Sequence, residues 1–133
     1  MDIQDIEGIG KTYAEKFRNA GVQNTDDLLA KGGTPKEREE LAAATELTVD
    51  QILEWVNRAD LHRVKGIDSE YADLLEAAGV DNVEELAQRN AELLADRLRA
   101  VNAVKRKVGS MPGTEYIGQW ILQARCMPKA VEY

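Results

Sequence analysis

Residues 6–14 have the sequence IEGIGKTYA, and residues 64–72 repeat it with changes as VKGIDSEYA. The correspondence continues downstream at the same offset of 58 residues, where Ala20-Gly21-Val22 matches Ala78-Gly79-Val80. Internal repetition at a fixed spacing determines the architecture of a chain, so it is considered before any other feature. We therefore predict that the protein contains two copies of one helical unit and that differences between the copies indicate function.

The repetition includes a later helix that contains tryptophan. The apolar pattern around Trp55 returns around Trp120 at an offset of 65 residues. The second copy has therefore gained a short loop, which the glycines and proline of residues 109–113 place between its last two helices. Both tryptophans lie in apolar stripes of helical period, so we expect them to be buried.

Signals for helix starts and stops recur along the whole chain. Asn24 and Asn82 each precede an acidic residue three positions later, and Thr34 and Thr48 begin capping boxes. No segment alternates at period two for long enough to predict a strand. The pattern predicts helices at 11–20, 25–31, 35–45, 49–61, 69–78, 83–89, 91–107 and 114–126. We predict an all-α fold with units 1–61 and 62–133 packed into one compact, pseudo-symmetric domain.

Few residues precede the first glycine-rich turn. Helix 49–61 leads directly into the second such turn, whereas Met1 to Asp5 are too few for an equivalent helix. We therefore expect helix 114–126 to cover the first turn, so that the two copies exchange helices.

The cellular compartment follows from what the sequence lacks. There is no apolar run of about 18 residues, as a membrane span requires. The N-terminus has neither the basic start nor the apolar core of a secretory signal. Cys126 is the only cysteine and is expected to pack as a small apolar side chain. We therefore predict a cytoplasmic protein that does not contact membranes.

Charge is distributed unevenly over a chain whose net charge is −7. Residues 1–61 carry seven basic and thirteen acidic side chains (7 − 13 = −6), and residues 62–133 carry ten and eleven (10 − 11 = −1). This balance argues against a general nucleic-acid coat protein, whose affinity comes largely from neutralising phosphates. A local basic cluster stands out in the second half and contains Arg97, Arg99, Lys105, Arg106 and Lys107.

The repeated segment resembles the helix-hairpin-helix motif, in which two short helices are joined by an apolar-Gly-apolar-Gly turn. The first copy carries this pattern at Ile6, Gly8, Ile9, Gly10, Ala14 and Phe17. Such hairpins occur in DNA glycosylases, polymerases, NAD-dependent ligases and junction-binding proteins, and a related arrangement occurs in the C-terminal domain of the RNA polymerase alpha subunit. Over about residues 3–126 the chain resembles an uncharacterised bacterial family of tandem helix-hairpin-helix proteins. The resemblance implies a fold more strongly than a function.

The first glycine turn has the chemistry of a phosphate site. Gly8 and Gly10 permit positive φ and let a phosphate approach the backbone, while Ile9 points inward. The helix that follows offers free N–H groups, and Lys11 and Thr12 add a charge and a hydroxyl. These groups would contact the phosphate backbone and not the bases, so binding would be independent of sequence. A tight turn with no ligand is an equally good interpretation.

The second glycine turn departs from this pattern. Asp68 stands where the first copy has Gly10, and Glu70 stands where it has Thr12. A carboxylate at a helix start caps the N–H groups itself and repels phosphate. We predict that the second turn is structural.

The sequence offers no set of residues that would support catalysis. His62 and Cys126 are each single, so no triad or metal site is expected, and His62 is predicted to lie at the exposed end of helix 49–61. Gly10-Lys11-Thr12 suggests a nucleotide loop, but Asp5 stands where that loop requires glycine. We predict a protein that is not an enzyme and uses no cofactor, metal or small-molecule substrate.

Two functions are left open by the sequence. The first is weak, nonspecific binding of the DNA backbone, through residues Gly8, Gly10, Lys11, Thr12, Arg97, Lys105, Arg106 and Lys107. The alternative is a protein-interaction adaptor in which both hairpins serve only as folding devices. The acidic first half favours the adaptor, whereas the first glycine turn with Lys11 favours DNA.

Overall fold

Eight α-helices form the protein, and the predicted all-α fold is confirmed. The computed structural model describes residues 1–133. A short 3-10 helix, Ile3–Asp5, precedes α1 (Gly10–Asn19), α2 (Thr25–Gly32), α3 (Pro35–Thr45), α4 (Val49–Leu61), α5 (Ser69–Ala77), α6 (Val83–Ala87), α7 (Ala91–Lys105) and α8 (Thr114–Cys126). Every predicted helix is present, with its ends within two residues of the predicted ones. The 3-10 helix was not predicted.

Side-chain caps fix the helix starts where the sequence predicts them. The Asn24 Oδ1 accepts from the backbone N–H of Asp27 at 2.8 Å, and the Asn82 Oδ1 accepts from Glu85 at 2.9 Å. At α4 the capping box closes in both directions, because Thr48 N–H donates to the Gln51 side chain and Gln51 N–H donates to Thr48 Oγ1. Each cap contributes about 1 kcal/mol to helix stability.

The chain folds into two structural units. Unit 1 comprises residues 1–60 together with 129–133, and unit 2 comprises residues 61–128. The unit 1 core is built around Ile3, Ile9, Phe17, Leu28, Ile52, Trp55 and Val56. The unit 2 core is built around Leu61, Ile67, Leu75, Leu86, Leu98, Ile117 and Trp120. Each unit therefore packs the apolar residues of its own glycine turn into its core, and each has a tryptophan there.

The last five residues belong to unit 1. Val131 is buried there, and the Glu132 N–H donates to the Gly33 carbonyl at 2.7 Å. Arg38 is 3% exposed and donates to the carbonyl oxygens of Gly32 at 2.9 Å and Glu132 at 2.6 Å. A buried guanidinium satisfied by two carbonyls thus ties the tail to the junction between α2 and α3.

The predicted exchange of helices between the copies is wrong. Trp55 on α4 packs against Tyr13 and Phe17 of α1, with ring centroids 5.3 and 5.7 Å apart. Trp120 on α8 packs against Tyr71 of α5 in the same way, at 5.3 Å. Helices α2 and α3 return the chain within unit 1, so α4 itself covers the first turn. The prediction that both tryptophans are buried is confirmed.

Two single-residue predictions also need correction. Cys126 is exposed, because it is the last residue of α8 and lies beyond the apolar stripe that ends at Ala124. His62 is half-buried, with its Nδ1 at 3.2 Å from the Ile67 carbonyl oxygen, so it contacts the second glycine turn and is not at an exposed helix end. No helix combines the length and the apolar character that crossing a membrane requires.

Candidate phosphate-binding site

Glycine turn 1, residues 6–10, presents its backbone to solvent while its apolar side chains anchor it. Ile6 and Ile9 are 1% and 2% exposed, and the Ile9 N–H donates to the Ile6 carbonyl at 3.2 Å. Gly8 and Gly10 lie between and after these anchors, are exposed, and have φ of +89° and +62°. Side chains other than glycine are strained in this region, so the turn depends on both glycines.

Helix α1 starts at this turn without a side-chain cap. Its N-cap residue is Ile9, which has no polar atom to offer the first N–H groups. Gly10, Lys11 and Thr12 are all exposed, and no atom other than those of the adjoining residues and the backbone of α1 lies within 4 Å of the position that a Cβ of Gly10 would take. Uncapped N–H groups at the positive end of a helix form a site for an anion, and no side chain obstructs the approach to Gly10.

Glycine turn 2, residues 64–68, has the same backbone bonds but a closed helix start. The Ile67 N–H donates to the Val64 carbonyl at 3.2 Å, as the Ile9 N–H does to Ile6. Asp68, however, accepts from the backbone N–H of Tyr71 at 2.9 Å, and Glu70 adds a second carboxylate to the first turn of α5. The prediction that the Asp68 carboxylate caps this helix is confirmed.

A tryptophan lies behind each glycine turn, and this residue was missed as a site candidate. The Nε1 of Trp55 is 3.2 Å from the position that a Cβ of Gly8 would take, and the Nε1 of Trp120 is 3.0 Å from that of Gly66. In unit 2 the Tyr116 hydroxyl also lies 2.8 Å from that position. The sequence signal for this approach is that each copy contains both a tryptophan and a glycine turn, but the tryptophan alone predicts only core packing.

The basic cluster lies at the end of α7 in unit 2. Arg97, Lys105, Arg106 and Lys107 are all exposed, and Arg106 ends the helix with φ +49° while its N–H donates to the Asn102 carbonyl. Arg99 forms an ion pair with Asp96. The cluster and glycine turn 1 belong to different units, so each is a separate candidate for anion contact. Cations at a helix C-terminus are also favoured by the helix dipole alone.

Metal-binding groups are not clustered in the structure. No set of three or more histidine, cysteine or acidic side chains is placed to hold a metal ion.

Comparison with known proteins identifies a family but no function. A family model described as a domain of unknown function (DUF4332) matches residues 7–127, a span that includes residues 7–10 of glycine turn 1, the whole of glycine turn 2 and all eight helices. No curated protein and no solved structure matches the chain.

Proposed function

The chain belongs to the DUF4332 family of domains of unknown function, and we propose that it is a non-enzymatic module that binds the DNA backbone through glycine turn 1. The two short helices and the apolar-Gly-apolar-Gly turn between them are assigned, within this proposal, to the helix-hairpin-helix motif. Both glycine turns have this form, but only the first is assigned to DNA. Binding is weak and independent of base sequence.

The difference between the two helix starts carries the proposal. The start of α1 is exposed and has no side-chain cap, whereas the start of α5 is occupied by the Asp68 carboxylate. If both turns were only structural, the capped helix start would be favoured in both copies, since a cap stabilises a helix by about 1 kcal/mol. The first copy instead keeps open N–H groups beside Lys11. These are the features that an external anion requires.

The chemistry of the contact follows from the donors present. The N–H groups at the start of α1 face one phosphate group, Lys11 neutralises its charge, and the Thr12 hydroxyl donates to an oxygen. None of these donors distinguishes one base from another, so the contact supplies affinity and no sequence preference.

The basic cluster provides a second phosphate contact in this proposal. Arg97, Lys105, Arg106 and Lys107 are exposed cations on a unit whose charge is nearly balanced. The net charge of −7 works against long-range attraction to DNA and keeps the affinity low. We place the protein in a bacterial cytoplasm, where DNA is accessible and a single cysteine such as Cys126 stays reduced.

Fluorescence anisotropy with labelled duplex DNA tests this function. Two short duplexes of unrelated sequence are titrated at about 50 mM and about 200 mM salt, on either side of physiological screening. We expect equal affinity for both duplexes and a loss of affinity with salt, since each phosphate contact releases counterions. A strong preference for one duplex, or no binding at the lower salt, contradicts the proposal.

A protein-interaction adaptor is the second candidate, and exposed apolar side chains favour it. Leu122 on α8 and Leu93 on α7 are 61% and 71% exposed. Leu122 borders an open groove that Arg89, Gly118 and Arg125 also line. A pull-down from cytosol, with and without nuclease, separates the two functions. Partners lost on nuclease treatment support DNA binding, whereas partners retained after it support the adaptor.

A further inference from the structure

Trp55 is a core residue whose polar atom lies at the glycine turn. Its side chain is 7% exposed, and its ring is held by Tyr13 and Phe17. The Nε1 is directed at Gly8, where a Cβ would lie only 3.2 Å away. Because Gly8 is exposed and has no side chain, the indole N–H lies just beneath the surface of glycine turn 1.

The Trp55 N–H has no acceptor within the protein. Its ring contacts are with aromatic carbons, and its side chain forms no hydrogen bond. The Trp55 Nε1, unlike that of Trp120, is not among the fully buried atoms, so it reaches the surface beside Gly8 and is available to an acceptor from outside the chain.

Unit 2 shows what the same position looks like when it is closed. Trp120 is 1% exposed and its Nε1 is fully buried without a partner. Tyr116 lies across it, with ring centroids 5.5 Å apart and its hydroxyl close to Gly66. At the offset of 65 residues, Gln51 takes the place of Tyr116 in unit 1, and it bonds to Thr48 instead. No tyrosine therefore covers Trp55 from this position.

We propose that the Trp55 Nε1 is an additional hydrogen-bond donor of glycine turn 1, and that a phosphate oxygen accepts from it together with the N–H groups at the start of α1. This inference rests on the proposed function and names the ligand group as a phosphodiester. The ring is already fixed by the core, so little conformational entropy is lost when the N–H engages a ligand. The site is thus preformed, with the Trp55 N–H at its base and Lys11 at its edge.

Removal of the N–H alone tests the role of Trp55. Trp55→Phe keeps an aromatic ring in the core and deletes the donor, and Trp120→Phe makes the matched change in unit 2. We expect Trp55→Phe to weaken binding of duplex DNA about tenfold, as for loss of one hydrogen bond to a charged group, while Trp120→Phe leaves it unchanged. Equal affinities for Trp55→Phe and the unmodified protein overturn the inference.

The fluorescence of Trp55 provides a second measurement that does not depend on the folding of Trp55→Phe. Only two tryptophans are present, so Trp55 is the sole emitter in Trp120→Phe. We expect duplex DNA to shift or quench this emission with the same midpoint as the anisotropy. An emission unchanged at saturating DNA overturns the inference.

Inorganic phosphate distinguishes the two possible sources of the ligand group. A response of Trp55 to DNA and none to inorganic phosphate at matched phosphate concentration supports a phosphodiester strand. A response to inorganic phosphate at a lower concentration than to DNA shows that the site binds free phosphate, and it contradicts the assignment of the ligand as a phosphodiester. If DNA binds and depends on Lys11 but not on Trp55, the proposed function stands and only this inference fails. If DNA does not bind at all, the proposed function itself fails.

Discussion

The Oδ1 of Asp68 accepts a hydrogen bond of 2.9 Å from the backbone N–H of Tyr71, at the helix start that Gly10 leaves open in the first copy. The two turns otherwise have the same backbone bonds and the same tryptophan–tyrosine packing, with centroids 5.3 Å apart in each. The second copy therefore caps its helix start with its own side chain, and the first leaves its helix start uncapped.

Moving the carboxylate into glycine turn 1 is expected to close it. In Gly10→Asp a carboxylate occupies the position that we propose for phosphate, so we predict at least a tenfold loss of DNA affinity in an anisotropy titration. The reverse change, Asp68→Gly, is the matched control. It removes a cap and destabilises the fold by about 1 kcal/mol, but Tyr116 and Glu70 still obstruct turn 2. A gain of binding in Asp68→Gly would contradict this view of turn 2.

Covering Trp55 with a tyrosine is a second way to close the site. Gln51→Tyr places a ring at the position that Tyr116 occupies in unit 2, and we expect it to weaken DNA binding severalfold and to shield Trp55 from iodide quenching. Gln51→Ala removes the same capping bond to Thr48 without adding a ring, so its affinity should stay at the unmodified level. The account is wrong if the two variants lose affinity equally.

The stability of unit 1 depends on Trp55 as well. Trp55→Ala opens a large cavity beside Tyr13 and Phe17, and we expect it to lower the free energy of unfolding by about 3–5 kcal/mol. Chemical denaturation followed by circular dichroism measures this change. A decrease below about 1 kcal/mol would show that the ring contributes little to the core.

Local signals predicted the helices well because each helix start is fixed by residues close to it. Asn24, Asn82, Thr34 and Thr48 cap the helices they precede, and these bonds span only a few positions. The pairing of Trp55 with α1 was not predictable in this way. An apolar stripe indicates which face is buried but not which partner covers it.

The candidate site was predicted in part for the same reason. The Asp68 cap follows from adjacent residues and is present, while Gly10, Lys11 and Thr12 lie exposed at an uncapped helix start. The approach of Trp55 to Gly8 joins residues far apart in sequence, so it is visible only in the folded chain. The docking of residues 129–133 on Arg38 likewise depends on carbonyl groups, which every residue has, so no side-chain pattern predicts it.

The tail that packs in unit 1 provides a further test of the fold. Arg38→Ala removes a buried donor from two carbonyls, and we expect the free energy of unfolding to fall by about 1.5–3 kcal/mol. Lys36→Ala, an exposed change on the same helix, should alter it by less than about 0.5 kcal/mol. Denaturation midpoints for the two variants compared with the unmodified protein check this, and equal shifts would contradict a structural role for Arg38.

Charge reversal at matched positions separates the site from the overall charge. Ser69 occupies the position of Lys11 in the second copy, and Ser69→Glu should leave DNA binding unchanged, because Asp68 and Glu70 already make turn 2 unfavourable for anions. Lys36→Glu changes the net charge of unit 1 by the same amount as Lys11→Glu, but far from glycine turn 1 in sequence. Together these variants show whether a loss of binding comes from one turn or from the whole molecule.

The most direct test of phosphate binding at glycine turn 1 is an anisotropy titration of Lys11→Glu and Lys36→Glu with duplex DNA at about 50 mM salt, where exposed charges are weakly screened. The account predicts that Lys11→Glu abolishes most of the binding, since a carboxylate then faces the phosphate oxygens, while Lys36→Glu retains it. Equal loss in both variants, or no binding by the unmodified protein, would contradict it.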